Sequence, residues 1–374
     1  RLTRLDQMHI ASSMIAGPLP TEFGLLRALE ILDLSENGLS GQIPSEFGSM
    51  ARIRKLILTN NQLDGRLPLE LASIPTLSEL SVDENSLSGP FPLFLANLTA
   101  LETLLLTDNL FSGPIPTTIG EFGDGLTTLH FGDSDFIGTV PSELFGLTNL
   151  LSLHFGKNNL YGTLPTEIGT ATNLEFVHCS FNNLTGPIPS EIGNLAMLRS
   201  IFAFPNFFSG QIPTEYANLQ KLSRVVMIST TLSGTFPSEF GLMTDLKTVL
   251  IKGTKIGGPI PTEIGLMTSL EELRIAGNKL TGSIPEGIGE LSNLVALNLD
   301  GNLLTGTIPL VLEALPSLAK AAFSGNDFVA PMPALCNLEV LVSDCDEVDC
   351  GDCCTDCCYD TEEECEFPKI DGRQ

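Results

Sequence analysis

The tetrapeptide Gly-x-(hydrophobic)-Pro occurs thirteen times, with its glycines at 17, 41, 65, 89, 113, 138, 162, 186, 210, 234, 258, 282 and 306. The interval is 24 residues throughout, except for 25 between Gly113 and Gly138, and a fourteenth copy with alanine in the glycine place runs from Ala330 to Pro333. Self-similarity at a fixed period of this size specifies a solenoid: one unit cannot bury its own apolar face, but a stack of units can. Function is therefore to be sought on a repeated surface rather than between two lobes.

Within one unit, Leu29, Leu32, Leu34, Asn37, Leu39, Gly41, Ile43, Pro44 and Phe47 are the fixed points. Leu32 and Leu34 alternate with outward residues, the period-2 mark of a short half-buried strand. Asn37 stands where the chain leaves that strand, and a side-chain amide there bonds backbone groups of its own and neighbouring coils, so stacked copies make a ladder. Ser13, Ser134, Thr230 and Thr254 hold this place in four coils with shorter hydroxyls. Gly41 and Pro44 then turn the chain, and Ser45 to Gly48 returns along the back with Phe47 pointing in.

The pattern L-x-x-L-x-L-x-x-N-x-L-x-G-x-I-P resembles the plant-type extracellular leucine-rich repeat across residues 1–335. The resemblance implies an α/β solenoid, a right-handed superhelix of about 14 coils with a parallel β-sheet on its concave face. Spaced about 4.8 Å apart like neighbouring strands, the coils would span roughly 65 Å. Similar ectodomains act as receptors and co-receptors for peptides and steroids and as inhibitors of cell-wall-degrading enzymes. The repeat motif carries fold, however, and the variable positions carry specificity.

The net charge of −26 argues against nucleic acid as a partner, which requires clustered Lys and Arg, and against anionic lipid. No run of 18 apolar residues occurs, so no segment reads as a membrane-spanning helix. The chain opens in mid-repeat, so a polar N-terminal cap is expected upstream of Arg1. Two glycosylation acceptors, Asn97-Leu-Thr and Asn183-Leu-Thr, fit an extracellular or cell-surface location.

Of nine cysteines, eight lie in the segment 336–374, read as an acidic C-terminal cap and tail: Cys336, Cys345, Cys350, Cys353, Cys354, Cys357, Cys358 and Cys365. Cys345 falls 24 residues after Ala321, an inward strand position, so a fifteenth coil is expected to begin there before the register fails at Glu347. An even number of cysteines in so small an apolar segment suggests four disulfides, with paired C-x-x-C zinc or iron–sulfur ligation as the competing reading. Adjacent Cys-Cys pairs are awkward as ligands of one tetrahedral ion, which favours disulfides. The block also resembles the Cys-rich ends of repeat proteins from diatoms and related algae. Cys179, the ninth, takes an inward strand position and reads as a small buried hydrophobe.

The outward residue between the two strand leucines marks the centre of the concave face. All four histidines lie in that column, as His9 and as the consecutive His130, His154 and His178, followed by Phe202, Val226 and Leu250. Two residues later, Gly132, Gly156 and Ser180 are followed by Phe204 and Ile228, and Phe176 and Phe181 flank His178. These residues are expected to form one exposed apolar patch bordered by the histidine ladder, as a partner-binding surface would. Cross-strand stabilisation of the sheet is the competing explanation. Imidazolium charges ~5 Å apart repel by about 0.8 kcal/mol in water. A ligand covering the ladder is therefore expected to bind less well below pH ~6.5. Parallel rings with Asp133 as their one neighbouring carboxylate fit a tetrahedral ion poorly, so neither metal nor cofactor is expected.

No G-x-S-x-G, H-E-x-x-H or phosphate-loop motif occurs, and an enzyme is not expected. The leading expectation is an extracellular protein- or peptide-recognition module. The alternative is a structural or adhesive surface protein acting by homo- or hetero-assembly. Ice binding would need a regular outward Thr array. The residue after the repeat proline is broken as such an array by Leu69, Leu93, Glu286 and Leu310.

Overall fold

A computed structural model describes residues 4–228 and 230–329, together with the backbone of short strands at 340–343 and 356–357. It comprises two compact units, Arg1–Phe207 and Phe208–Gln374.

In the first unit, nine three-residue strands from Gln7–His9 to Ser200–Phe202 form one parallel sheet. Neighbours pair one repeat apart, as in Leu32 beside Leu56. The Gly-x-hydrophobic-Pro element supplies a second parallel sheet, from Ala16–Pro18 through Asn183–Pro187. Gly41 sits there at φ +75°, left-handed backbone that glycine adopts without steric cost. The return segment is a 3₁₀ turn: Pro44 precedes Ser45–Ser49, and the Met50 N–H closes it on the Phe47 carbonyl at 3.0 Å. Phe47 is fully buried, as the sequence indicates.

Within the first unit, each coil sends its strand leucines, its Gly-x-hydrophobic residue and its return-segment residue into one continuous core. Leu129, Leu153 and Val177 are wholly buried, each worth about 1.5–3 kcal/mol of transfer free energy. Cys179 is a free buried thiol in this core, and burial pushes its pKa up to about 12. The residue inserted before the first ladder histidine is absorbed away from the strands. The 3₁₀ segment lengthens there to Thr117–Gly125 and kinks at Gly123 (φ +66°). Thr128 still pairs with Thr103.

The asparagine ladder is formed as expected. Asn182 accepts the Leu160 N–H at 3.0 Å and donates to the carbonyls of Phe155, Cys179 and Ser180 at 3.0, 3.2 and 3.4 Å. One amide thus ties backbone groups of two coils in a buried seam.

In the second unit, Arg224–Ile228, Thr248–Lys252, Glu272–Arg274, Ala296–Asn298 and Lys320–Ala322 repeat the strand sheet in register. The register expected beyond them is corrected. Ala321 pairs with Leu341 rather than Cys345, so the last coil is shorter than one repeat. The side chains of the eight tail cysteines lie outside the described residues.

Candidate functional site

In a three-residue strand the central side chain points inward and its neighbours point outward. Leu129, Leu153, Val177 and Ile201 are accordingly buried, and His130, His154, His178 and Phe202 stand side by side on the opposite face of the first sheet. Phe176 flanks them from its place before Val177.

These five rings form one connected cluster. His154 and His178 stack with parallel planes and centroids 4.1 Å apart. His130 meets His154 edge-on at 5.7 Å, and His178 lies 5.5 Å from Phe202. Phe176 is 5.8 Å from Phe202 and 6.4 Å from both His130 and His178. Ring pairs at such distances contribute about 0.5–1.5 kcal/mol beyond the area they bury.

Glycine makes room for the stack. A Cβ at Gly132 would stand 2.4 Å from His154 Nε2, and one at Gly156 would stand 2.9 Å from His178 Nε2. Each of these rings therefore lies back over the backbone of the preceding coil. The column two residues after the histidines is covered as a result: Gly132, Gly156 and Ser180 are buried. Phe204 occupies the same column and is buried too, at 8% exposure. The expectation that Phe204 belongs to the exposed patch is thus corrected: its column lies on the histidine face of the sheet but is covered in these coils.

Phe181 is the reverse case. It precedes ladder residue Asn182 at a position where the backbone is left-handed in successive coils, as at Asp133, Lys157 and Phe181 itself (φ 46°, 51° and 55°). In the second unit the position is glycine at 253, 277, 301 and 325. A bulky residue pays a steric cost in that region, yet Phe181 remains 54% exposed.

The cluster is held neutral. Burial, followed by the charge of its neighbour His178, lowers the His130 pKa to about 4. Burial and the surrounding charges of His178, His130 and Lys157 lower that of His154 to about 3. His178 is also lowered, by burial first and Lys157 next, against an opposing pull from Asp133. Lys157 and Asp133 pair at 2.6 Å at the rim. The loss of affinity expected below pH ~6.5 accordingly moves to more acidic pH, because desolvation suppresses imidazolium formation.

His130 Nε2 hydrogen-bonds Ser152 Oγ at 2.7 Å, whereas His154 Nε2 has no hydrogen-bond partner. The parallel His154 and His178 rings do not converge on a common point, and among the described residues no three His, Cys, Asp or Glu gather as a metal site. Sequence reasoning found the rings but missed Ser152 and the clearance role of the glycines. The signal was present as glycine two residues after His130 and after His154.

The second unit carries the remaining predicted contacts by itself. Val226 and Leu250 are cross-strand neighbours, Ile228 pairs with Lys252, and Leu250 adjoins Arg274. Val226, Ile228 and Leu250 are all half-buried.

The Leucine Rich Repeat family model matches residues 28–50, 173–195, 269–291 and 293–315. A leucine-rich-repeat protein of Leptospira interrogans shares 30% identity at a TM-score of 0.73, over 87% of this chain and 80% of its own. The chain belongs to the leucine-rich-repeat family. This repeat protein is also similar to the ectodomain of the Arabidopsis thaliana receptor kinase GASSHO1/SCHENGEN3, solved with CASPARIAN STRIP INTEGRITY FACTOR 2. That match has 30% identity and a TM-score of 0.77, over 92% of this chain and 45% of that one. The Arabidopsis HAESA ectodomain, solved with an IDA peptide hormone, superposes at a TM-score of 0.84 with 25% identity, over 98% of this chain and 64% of that one. The repeat protein thus spans about half to two thirds of the length of these receptor ectodomains. No curated protein sequence matches it significantly. Among its described residues, no helix is long and apolar enough to cross a membrane.

Proposed function

We propose that this repeat protein is an extracellular, non-enzymatic recognition module that holds a peptide or extended protein segment against the strand face of its first unit. The observation that carries this reading is the cluster of His130, His154, His178, Phe176 and Phe202, stacked over backbone that glycine has cleared. Neutral imidazoles leave the ring stack uncharged at physiological pH. Such a surface suits aromatic and aliphatic side chains of a ligand backbone laid across the strands. Phe181 extends the surface at a backbone position where it costs stability and buries little, which is the behaviour of a contact residue rather than a core one. The peptide complexes of the plant ectodomains support the same class of ligand. Val226, Ile228 and Leu250 would offer a contact surface of their own on the second unit. Asn97 and Asn183, both exposed, would carry glycans in a secreted protein, and the tail cysteines would pair as disulfides.

A displayed random-peptide library panned on the wild-type chain tests this reading. Peptides so selected are expected to lose about tenfold or more in affinity for Phe202→Asp, the effect of removing a central anchor. They are expected to weaken for Phe181→Gly as well, while that variant melts at the same temperature as wild type or higher, since glycine relieves the left-handed backbone. Peptides that bind both variants like wild type would place recognition elsewhere.

A further inference from the structure

On the side of the first unit formed by the proline turns, the repeat carries a regular polar motif. A Ser or Thr hydroxyl after the repeat proline bonds the next residue, a glutamate. The pairs are Thr21–Glu22, Ser45–Glu46, Ser142–Glu143, Thr166–Glu167 and Ser190–Glu191, at 3.2–3.5 Å. The hydroxyl is lost at two successive coils, where the sequence reads Leu69-Glu70 and Leu93-Phe94, and the coil after them keeps Thr117 but has Thr118 in place of the glutamate. There the surface opens into a cleft of about 240 Å³, lined mainly by apolar groups that include Leu69, Pro90, Phe91, Pro92 and Phe94.

Local backbone chemistry makes the cleft. Two prolines bracket Phe91, and Pro92 takes φ −78°, ψ 61° where the other described repeat prolines keep ψ at 124° or more in an extended conformation, as Pro68 and Pro116 do at 133° and 145°. The Leu93 N–H closes onto the Phe91 carbonyl at 2.8 Å, which is the geometry of an inverse γ-turn. Phe91 stays in the core against Phe131 at 5.5 Å, while Phe94 is half-buried and Leu69 is 68% exposed.

Arg66 also lines this cleft. Its side chain crosses Gly89, where a Cβ would stand 3.2 Å from Arg66 Cγ and 3.4 Å from Nε. Arg66 is exposed, and among the described residues no carboxylate lies within ion-pair distance of it. A free guanidinium beside an apolar cleft, in a chain of net charge −26, is complementary to one chemistry.

We propose that this cleft is a second binding site, separate from the ring cluster, for an apolar side chain that carries a carboxylate. The apolar group fills the cleft and the carboxylate meets Arg66 as a charge-assisted, two-pronged pair. The cleft has room for one aromatic or branched aliphatic side chain. Either the C-terminal residue of a peptide or a free aryl-alkyl carboxylic acid presents this chemistry.

Calorimetric titration of the full chain with three probes tests the site: a short peptide ending in a free phenylalanine carboxylate, the same peptide amidated, and 3-phenylpropionate. The free-acid peptide is expected to bind about tenfold more tightly than its amide, and Arg66→Gln to erase that difference. Phe94→Glu, which restores the repeat residue, is expected to abolish binding of all three without lowering the melting temperature. Phenylpropionate binding as well as the peptide assigns the site to free acids, and weaker binding assigns it to peptide termini. Equal binding of acid and amide to wild type, acid binding unaffected by Arg66→Gln, or no binding by any probe would overturn the proposal.

Discussion

Asn182→Ala is expected to lower the unfolding free energy by roughly 3–4 kcal/mol, more than any substitution of comparable size on the exposed face. The reason lies in which hydrogen bonds have a substitute. The Phe155 carbonyl also accepts from Asn158 at 3.2 Å, and the Cys179 carbonyl also accepts from Asn206 at 2.9 Å. The Ser180 carbonyl also accepts the Lys157 N–H at 2.7 Å. These three acceptors therefore each keep one partner when the amide is removed. The Leu160 N–H loses Asn182 Oδ1 and is left buried without an acceptor, at about 1–3 kcal/mol. Three weakened acceptors and the small void left by the amide make up the rest. Asn182→Asp restores the acceptor but faces a carboxylate toward three carbonyls, so at neutral pH it is expected to cost at least as much. Urea midpoints of the two variants against wild type measure this. A loss below about 1 kcal/mol in both would show that the seam tolerates its own interruption.

Acidification from pH 7 to 5 is expected to destabilise the protein, and His154→Phe to remove about 1–2 kcal/mol of that loss. An unfolded histidine takes its proton near pH 6.5. In the folded chain His130 holds off until about 4 and His154 until about 3. Between these limits the unfolded state binds more protons than the folded one, so stability falls as pH falls. The slope is at most about 1.4 kcal/mol per pH unit for each histidine, and the partial exposure of the rings reduces it. Above pH 6.5 the histidines impose no penalty, since both states are neutral. The penalty is complete for His130 near pH 4 and for His154 near pH 3. Phenylalanine keeps a ring in the stack without a titrating nitrogen, and carboxylate titrations common to both proteins cancel in the difference. Identical pH dependence of wild type and His154→Phe in denaturant melts would mean that the ladder is not desolvated.

The sequence made the coil legible because its constraints are local and repeated. Leu32 and Leu34 declare a strand, Asn37 the seam, Gly41 a left-handed turn and Pro44 the start of a 3₁₀ segment. The register that aligns His130, His154 and His178 followed from the period alone. What escaped depends on neighbours one coil away. Phe204 looked exposed by alternation, but its column is covered in the coils just before it, where the next coil's histidine lies over Gly132 and Gly156. The suppressed titration of the ladder is a desolvation effect that a list of positions does not contain. The cleft at Arg66 was visible only as a break in the Ser/Thr array at Leu69 and Leu93, a signal that weighed against ice binding without suggesting a site. In the last coil the pairing of Ala321 with Leu341 shortens the repeat, which no periodic extrapolation anticipates.

The chain holds four histidines, which allows a direct test of the recognition surface. His130, His154 and His178 stand in the cluster, and His9 lies in the first strand of the sheet, 3.6 Å from Asp33. Their imidazole Cε1–H signals can be followed by NMR while a peptide selected on the wild-type chain is added. The three ladder signals are expected to shift together and saturate at one stoichiometry, with His9 unmoved. A peptide that binds with full occupancy and leaves all three ladder signals in place would contradict recognition at the ring cluster.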